Sequence, residues 1–321
     1  MADKKNSIIT EKDILILKQL LEDGRKSSSC ISKEIDLGRE IVNYRIKRLI
    51  KENLIVKFVP KINEKALHYK EYLILLKLNL EDELSKEKFI KETIGNKYLV
   101  WVVKSGGGWD LIIRLYAESL EEFQKKLNEI LDDYSDVLAN YYTIISSEEI
   151  KENQKQVVFE NLFHEKQKDK DFQIIKHQQT LQIDSKDKEI LKLLESDARV
   201  QYKEIAEKLD ISSDTAKYRI DRMKEQGIIE NFMPVINLNK LGLVQYAVIL
   251  KFGYLTKEES EKVCKQFEKD PNIIKAIKNL QSHEYFLTLA FDNEENKNKF
   301  ESFIQDEYRD KIEKFDIFKI D

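Results

Sequence analysis

The first part of the chain carries hydrophobic residues at the spacing of short amphipathic helices. Ile14, Leu17 and Leu21 recur three or four residues apart, which places them on one face of a helix. The pattern predicts helices over residues 13–21, 29–35 and 39–52, with the break Asp36-Leu37-Gly38 before the third, and a strand over residues 54–58. Three helices with a three-residue turn between the second and third, followed by a strand, are typical of a winged helix-turn-helix.

The next stretch changes to the alternating period of strands. It predicts strands over residues 72–79, 98–104, 109–116 and 137–145 and helices over residues 85–95 and 120–131. This β-α-β-β-α-β order is that of a ferredoxin-like domain, in which two helices cover one face of the sheet. In the first strand Tyr72 and Ile74 on one side and Leu73 and Leu75 on the other are all apolar. A second sheet is therefore predicted to cover the other face.

The whole unit occurs twice. Residues 13–79 align without a gap with residues 187–253, at a shift of 174, and about one third of the aligned pairs are identical. Such a period is far longer than a solenoid repeat, so we interpret the chain as a tandem duplication of one folded unit. Below, copy one is the unit before the polar middle of the chain, and copy two is the unit after it.

The predicted fold class is α+β, with two winged helix-turn-helix domains alternating with two ferredoxin-like domains of βαββαβ order. The polar stretch between the copies contains few apolar residues and is interpreted as a linker. The predicted boundaries are winged helix-turn-helix domain 1 at residues 1–64, ferredoxin-like domain 1 at 65–147, the linker at 148–183, winged helix-turn-helix domain 2 at 184–238 and ferredoxin-like domain 2 at 239–321.

Composition narrows the class of protein. The net charge of −4 argues against indiscriminate coating of nucleic acid, but it leaves room for a local basic face. Cys30 and Cys264 do not align in the two copies, so no disulfide framework is expected and a reducing cytoplasm is predicted. The longest apolar runs, such as residues 72–76, have the length of a strand and are too short to cross a bilayer. We therefore expect a cytoplasmic protein without a membrane partner.

Several motifs appear at equivalent places in both copies. Copy two contains Asp197-Ala198-Arg199, then Tyr218-Arg219-Ile220-Asp221-Arg222, then Gly227-Ile228-Ile229. Copy one contains Asp23-Gly24-Arg25 and Tyr44-Arg45-Ile46-Lys47-Arg48. In these motifs and in the order of its elements the chain resembles the Lrp/AsnC ("feast/famine") transcriptional regulators of bacteria and archaea. The resemblance covers nearly the whole chain, twice, and we expect an archaeal source.

The resemblance implies a sequence-specific regulator that binds double-stranded DNA and is not an enzyme. Recognition helices would enter the major groove, where arginine, lysine and asparagine read base edges. The residues expected to contact DNA are Arg39, Glu40, Asn43, Tyr44, Arg45, Lys47, Arg48 and Lys51 in copy one and Ser213, Lys217, Tyr218, Arg219 and Arg222 in copy two. Among these, Arg45, Arg48, Arg219 and Arg222 are expected to contact phosphates or to pack at the helix end.

The resemblance also implies that the ferredoxin-like (RAM-type) domains sense a small effector, such as an amino acid, and pair with each other. Pairing would give an intramolecular pseudo-dimer, a homodimer of chains, or both. The expected effector site is the hairpin Gly107-Gly108-Trp109-Asp110; copy two departs from it with Ser282-His283-Glu284-Tyr285. The simpler interpretation of the glycines is a plain hairpin turn. No cofactor is expected, and the four histidines lack metal-ligand spacing.

The two predicted recognition helices differ in charge. Residues 39–51 hold five basic residues and one acidic residue, a net charge of +4, whereas residues 213–225 hold four basic and three acidic residues, a net charge of +1. Phosphate neutralisation supplies most non-specific DNA affinity, so copy one is predicted to be the dominant DNA-binding copy.

Two alternative functions stay open at this point. Winged helices also serve as protein-interaction modules. In addition, the siroheme decarboxylases look like paired Lrp/AsnC units that became enzymes, and His283-Glu284-Tyr285 lies at the hairpin where they carry a functional histidine and tyrosine. The chain lacks their surrounding Ser-His-Asn-Tyr pattern, and its recognition helices keep a basic character.

Overall fold

The structure is a computed structural model, and it describes residues 9–80, 83–94, 98–155, 157–158, 183–280 and 283–321. The chain forms two units, each built from both copies. The first unit comprises residues 1–67 and 158–241, and the second comprises residues 68–157 and 242–321. The winged helix-turn-helix regions of both copies therefore share the first unit, and the ferredoxin-like regions share the second.

Both copies have the same order of elements. Copy one contains α1 (Glu11–Glu22), α2 (Ser28–Glu34), α3 (Arg39–Lys51), β1 (Ile55–Ile62), a 3₁₀ turn (Glu64–Leu67), β2 (Lys70–Leu78), α4 (Glu83–Ile94), β3 (Trp101–Lys104), β4 (Leu111–Ala117), α5 (Leu120–Asp133) and β5 (Leu138–Glu152). Copy two contains α6 (Ser185–Ser196), α7 (Tyr202–Leu209), α8 (Ser213–Glu225), β6 (Ile229–Ile236), a 3₁₀ turn (Leu238–Leu241), β7 (Val244–Phe252), α9 (Lys257–Lys269), β8 (Ile273–Asn279), β9 (Glu284–Phe291), α10 (Glu294–Tyr308) and β10 (Ile312–Ile320).

Local sequence sets the bounds of the recognition helices α3 and α8. The Ser212 hydroxyl accepts a hydrogen bond from the Thr215 amide at 3.0 Å and caps α8. Just past the other ends of these helices, Asn53 (φ 56°) and Gly227 (φ 72°) adopt the left-handed conformation. Helical spacing groups Ile50 with Val42, Ile46 and Leu49, but Ile50 is 42% exposed and only the other three are buried.

In the first unit, one strand from each copy forms a two-stranded antiparallel ribbon. Strand β1 pairs with β6, and Phe58 lies opposite Pro234 while Pro60 lies opposite Phe232. The 174-residue shift relates Phe58 to Phe232 and Pro60 to Pro234, so each pair is the equivalent of the other. A pseudo-twofold axis therefore passes through the ribbon at Val59 and Met233. Each winged helix thus has its partner within the same chain.

In the second unit, eight strands follow the order β10-β7-β9-β8-β5-β2-β4-β3. An isolated bridge between Ser105 and Ile320 links the two end strands. Its equivalent under the 174-residue shift is the pair Ser146 and Asn279, where β5 meets β8. The strand pairings within the two halves therefore agree with the shift seen in the sequence, whereas the β5–β8 contact is longer than its equivalent, the single bridge between Ser105 and Ile320.

Both faces of the strands in the second unit are buried. A central apolar cluster contains residues of both copies, among them Leu73, Ile144, Ile249 and Phe286. Each half has one further apolar cluster on its helix-covered side. The free face is therefore covered as predicted, but by the other half of the same eight-stranded sheet and not by a separate sheet.

Strand β5 is longer than predicted. It continues to Glu152, past the predicted boundary at residue 147, because residues beyond Ser146 pair with β8 of copy two. Residues 159–182 of the predicted linker lie outside the described residues. The predicted domain boundaries stay predictions.

Candidate nucleic-acid interface

The solvent-facing side of each recognition helix presents polar side chains without partners in the described structure. No hydrogen bond or ion pair to another described residue involves the side chains of Arg39, Glu40, Asn43, Tyr44, Lys47 and Lys51 on α3 or those of Ser213, Lys217 and Tyr218 on α8. Tyr44 is 68% exposed and its equivalent Tyr218 is 65% exposed. These side chains are available to a ligand in the groove of a duplex.

The arginines at the C-terminal half of α3 have an internal partner. The carboxylate of Asp13, which is fully buried, lies 2.9 Å from Nη1 of Arg45 and 2.6 Å from Nη2 of Arg48. Burial opposes ionisation of Asp13, but hydrogen bonds from Thr10 and Arg45 and the charge of Arg48 outweigh it and lower its pKa. Asp13 therefore fixes α3 against the start of α1.

Copy two repeats this arrangement. Asp187 is fully buried and lies 2.8 Å from Nη1 of Arg219, and it also pairs with Arg222. Asp184 adds a second carboxylate 2.7 Å from Arg219, and its pKa is lowered, mainly by the hydrogen bond from Arg219. In both copies these two arginines pair with a buried aspartate of the first helix of the winged helix-turn-helix, and contact with phosphates stays a prediction.

The inward pairing sharpens the charge difference between the copies. Without Arg45 and Arg48, the remaining charged side chains of α3 are Arg39, Glu40, Lys47 and Lys51, a net charge of +2. Without Arg219 and Arg222, those of α8 are Asp214, Lys217, Asp221, Lys224 and Glu225, a net charge of −1. The outward surface of α3 is thus basic and that of α8 is slightly acidic.

A reciprocal pair of arginines joins the two winged helices. Arg25 donates to the carbonyls of Ala198 and Val200, at 2.8 and 3.1 Å. Arg199 donates to the carbonyls of Gly24 and Lys26, at 2.9 and 3.2 Å. Because a guanidinium group is a planar fork of donors, each contact fixes both distance and orientation between the copies.

Aromatic rings and close backbone contact support the arginine pair. The guanidinium of Arg25 lies 5.3 Å from the ring centroid of Phe232, and that of Arg199 lies 5.0 Å from the ring of Phe58. The Gly24 amide donates to the Phe232 carbonyl at 2.7 Å, and a Cβ atom at Gly24 would come within 2.9 Å of the Met233 backbone nitrogen. The arrangement holds the two recognition helices at a defined separation.

The predicted effector hairpin lies in the second unit, and its carboxylate is already engaged. Asp110 accepts a hydrogen bond from the Leu78 amide at 2.9 Å and lies 3.0 Å from Lys86 and 3.2 Å from Lys77. Burial opposes its ionisation, but these donors outweigh burial and lower the pKa of Asp110. Gly107 adopts a φ of +91°, as a tight turn requires.

The other hairpin residues surround this carboxylate without sharing its contacts. Trp109 packs against the central apolar cluster, and its ring centroid lies 6.2 Å from that of Tyr142. Apart from its two chain neighbours, no described residue has a heavy atom within 4 Å of where a Cβ of Gly108 would lie, whereas a Cβ of Gly107 would lie 3.5 Å from Cβ of Phe318. The hairpin is therefore open at Gly108, and its carboxylate at Asp110 is already engaged.

The equivalent hairpin of copy two has different chemistry. Glu284 replaces Asp110 and is buried. Its two carboxylate oxygens accept from the Tyr142 hydroxyl at 2.7 and 2.8 Å, and one also accepts from the Asn279 amide. Burial, followed by the hydrogen bond with Glu284, raises the pKa of Tyr142. Ser282 of this hairpin lies outside the described residues.

His283 and Tyr285 of copy two have separate contacts in the described structure. The ring of His283 makes an edge contact with Tyr254 at 5.9 Å. Tyr285 is fully buried on the helix-covered side, where its hydroxyl lies 3.1 Å from that of Ser260.

Four residues that organise this interface are Asp13, Asp187, Arg25 and Arg199. The sequence shows that both pairs are identical in the two copies, but sequence reasoning assigned these residues no contact. Their partners lie on other helices or in the other copy, and a single sequence does not reveal them. Among the described residues no group of histidine, cysteine, aspartate and glutamate side chains is placed to hold a metal ion. No described helix is long and apolar enough to cross a membrane.

Comparison with known proteins supports the DNA-binding character of both copies. The family of winged helix-turn-helix DNA-binding domains matches residues 9–56 and 183–230. A helix-turn-helix transcriptional regulator of Pyrococcus horikoshii is 32% identical over 130 residues, which cover 38% of this chain and 85% of the relative. The regulatory protein AsnC of Haemophilus influenzae is 34% identical over 107 residues, which cover 33% of this chain and 69% of AsnC. The relatives from Pyrococcus agree with the expected archaeal source.

One solved structure resembles nearly the whole chain. The siroheme decarboxylase NirDL has a TM-score of 0.62 at 12% sequence identity, covering 96% of this chain and 90% of that one. At this identity the likeness shows the fold alone. It agrees with two winged helix-turn-helix regions and two ferredoxin-like regions in an α+β protein.

Proposed function

The chain belongs to the Lrp/AsnC family of helix-turn-helix transcriptional regulators, and we propose that it binds an asymmetric DNA site through copy one more strongly than through copy two. The observation that carries the proposal is the outward charge of the recognition helices, +2 on α3 and −1 on α8. Basic side chains release counterions from the duplex, which supplies affinity. The acidic groups on α8 oppose that effect.

The residues proposed to read bases lie on the first turns of each helix. On α3 they are Arg39, Asn43 and Tyr44, and on α8 they are Ser213, Lys217 and Tyr218. Arginine binds guanine and asparagine binds adenine through paired hydrogen bonds, so copy one carries the more discriminating set. Lys47 and Lys51, further along α3, are proposed to contact phosphates.

The arginine pair Arg25 and Arg199 is proposed to set the distance between half-sites. It joins the two winged helices directly, through four hydrogen bonds to backbone carbonyls. Two recognition helices that are fixed relative to each other can engage only half-sites at matching spacing. Unlike a homodimer, a fused pair can accept two different half-sites.

Selection of bound oligonucleotides from a random duplex pool tests the proposal. We expect a site with two unequal halves, the stronger one lost when Asn43 is changed to alanine. A matched control is Lys18→Ala on α1, outside the recognition helix. Failure to enrich any sequence, with an intact fold by circular dichroism, would contradict specific DNA binding and favour a protein-interaction role.

A small effector is proposed at the copy-one hairpin. The open side of Gly108 leaves room beside a turn, and Trp109 offers an apolar wall. Because Asp110 is held by Lys77 and Lys86, an amino acid would bind there by its ammonium group only if it displaced a lysine. Calorimetric titration with the twenty amino acids, compared between the native chain and Trp109→Ala, tests this; identical heats for both would exclude the hairpin.

An enzymatic role is the second candidate, favoured by the fold likeness to NirDL. Against it, the Tyr285 hydroxyl is buried and lies 3.1 Å from the hydroxyl of Ser260. A visible absorbance band on mixing the purified chain with an iron tetrapyrrole, together with loss of carbon dioxide from that ligand, would establish an enzyme. Absence of both, with DNA binding retained, would support a regulator.

A further inference from the structure

A buried cluster of charges lies between the two ferredoxin-like halves, outside the sites described above. The ammonium group of Lys275 on β8 is surrounded by three carboxylates of copy one: Glu71 at 3.1 Å, Glu152 at 3.2 Å and Glu149 at 3.3 Å. Lys275 is 5% exposed and Glu71 is 6% exposed. A buried charge is tolerated only when it is paired, so these groups depend on one another.

Arg114 completes the cluster from strand β4. Its Nη1 lies 3.4 Å from Glu152 and 3.6 Å from Glu71, and its guanidinium lies over the ring of Trp101 at 5.1 Å. Burial opposes the charge of Lys275, but the carboxylates of Glu152 and Glu71 outweigh burial and raise its pKa. Three acidic and two basic groups thus converge, four from copy one and one from copy two.

Within the second unit, the cluster occurs at only one of the two positions that the 174-residue shift makes equivalent. Under the 174-residue shift, Glu71 is equivalent to Gln245, Arg114 to Thr288 and Lys275 to Trp101. The pairing registers confirm these equivalences, since Trp101 lies opposite Arg114 and Lys275 lies opposite Thr288. The second position therefore holds no charged residue at these three places.

The asymmetry distinguishes the ways in which the halves can pair. If copy one paired with another copy one, Trp101 would replace Lys275, and the carboxylates around Glu71 would lose their ammonium group. If copy two paired with another copy two, Lys275 would face Gln245 and Thr288, neither of which neutralises it. Only the pairing of copy one with copy two places every charge opposite a partner.

Stability alone does not explain such a cluster. Replacing a buried ion pair by apolar groups is often neutral or stabilising, whereas removing a single partner is costly. A buried polar group is best attested as a device that selects one pairing among several. We propose that the charge cluster around Lys275 selects heterotypic pairing of the ferredoxin-like halves, copy one with copy two, against both homotypic pairings.

The proposal is tested in the full chain by cysteine trapping, in a background with Cys30→Ser and Cys264→Ser. Glu148 lies opposite Lys278 where β5 meets β8, so Glu148→Cys with Lys278→Cys reports heterotypic pairing. In a homotypic pair of copy one, residue 148 would lie opposite Lys104, the equivalent of Lys278. Glu148→Cys with Lys104→Cys therefore closes between two chains only if homotypic pairs form.

The test variant transfers the uncharged residues of the second position to the first. Glu71→Gln, Arg114→Thr and Lys275→Trp together reproduce a residue set that the protein already accommodates, so folding should survive. We expect the interchain product of the 148/104 reporter to rise roughly tenfold or more over the native background. Lys275→Trp alone should raise it as well, and exposed Lys265→Trp on α9 is the matched control without effect.

The proposal is overturned if the triple variant stays folded and gives the same interchain yield as the native chain. It is equally overturned if the native chain already gives as much 148/104 product as 148/278 product. Neither outcome bears on DNA binding, which depends on the first unit and is measured separately.

Discussion

The recognition helices α3 and α8 share their internal supports and differ on their outer surfaces. Each is fixed by a buried aspartate that pairs with two arginines, Asp13 in copy one and Asp187 in copy two. Each belongs to a winged helix held by an arginine from the other copy. Yet the outward charge is +2 on α3 and −1 on α8. Duplication kept the contacts that position the helices and allowed the DNA-facing residues to diverge.

The two hairpins of the second unit show the same division. Asp110 and Glu284 occupy equivalent, buried positions, so a carboxylate is kept. Its partners have changed from Lys77 and Lys86 to Tyr142 and Asn279. A lysine partner balances charge, whereas a hydroxyl partner only satisfies hydrogen bonds, so the hairpins are expected to respond differently to ligands.

The largest expected effect concerns the shared supports. Asp13→Ala should leave Arg45 and Arg48 without their carboxylate and lower the free energy of unfolding by at least about 2 kcal/mol. Asp187→Ala should cost a similar amount, because its contacts are equivalent. Urea denaturation of both variants checks this, with exposed Glu11→Ala as control. A cost confined to one copy would break the claim of equivalent supports.

The second expected effect concerns the diverged surfaces. Lys47→Glu with Lys51→Glu on α3 should weaken DNA binding roughly 10- to 100-fold at moderate salt, since two phosphate contacts are lost and reversed. Reversing two lysines on α8, Lys217→Glu with Lys224→Glu, should cost less than about threefold, because the outward charge of α8 is already −1. Fluorescence anisotropy over a salt series measures both variants. Equal losses would contradict unequal binding by the copies.

The third expected effect is a response to acid at the copy-one hairpin. Because the pKa of Asp110 is lowered in the folded protein, its contribution to stability is present above about pH 4, the ordinary value for aspartate. It is lost as the pH falls through the lower folded pKa. Asp110→Asn should lower the melting temperature at pH 7, and this deficit should shrink as the pH falls below about 4. A pH-independent deficit would contradict the ionic role of Asp110.

The smallest expected effect concerns the arginine pair. Arg25→Lys should cost about 1 kcal/mol of stability, because an ammonium group cannot reproduce the two directed hydrogen bonds of the guanidinium fork. It should also broaden the tolerated spacing between half-sites, since the two winged helices would be held less rigidly. Binding to duplexes with one to three added base pairs checks this. Unchanged spacing preference would show that Arg25 does not set the separation.

Much of the fold follows from the chain's periodicities. The helical and alternating patterns located the helices and strands. Apolar residues on both faces of strand β2, such as Leu73 and Ile74, indicated that both faces of the sheet are covered. The end of β5 at Glu152 was missed, because residues 146–152 are all polar except Ile150 and pair with a strand more than a hundred residues away. Long-range strand pairing has no local signature in a single sequence.

Sequence reasoning located the candidate site but did not identify the contacts of every residue in it. Exposed Tyr44 and Lys47 followed from helical spacing. The ion pair between Arg48 and Asp13 did not follow from it. Helical spacing gives the direction of a side chain and not its partner, and Asp13 lies on a different helix. The same holds for Lys275, whose carboxylates come from another part of the chain.

The central claim is that copy one binds DNA more strongly, and tethered cleavage tests it most directly. Cys30 is exposed on α2 of copy one, and copy two carries Glu204 at the equivalent position. With Cys264→Ser, an iron chelate on Cys30 should cut beside the half-site that copy one binds. The cut identifies the half-site of copy one, and a footprint over a salt series then measures the protection of each half-site. The account predicts that the half-site of copy one stays protected at salt concentrations that release the other half-site. Release of both halves together, or of the half-site beside Cys30 first, would contradict it.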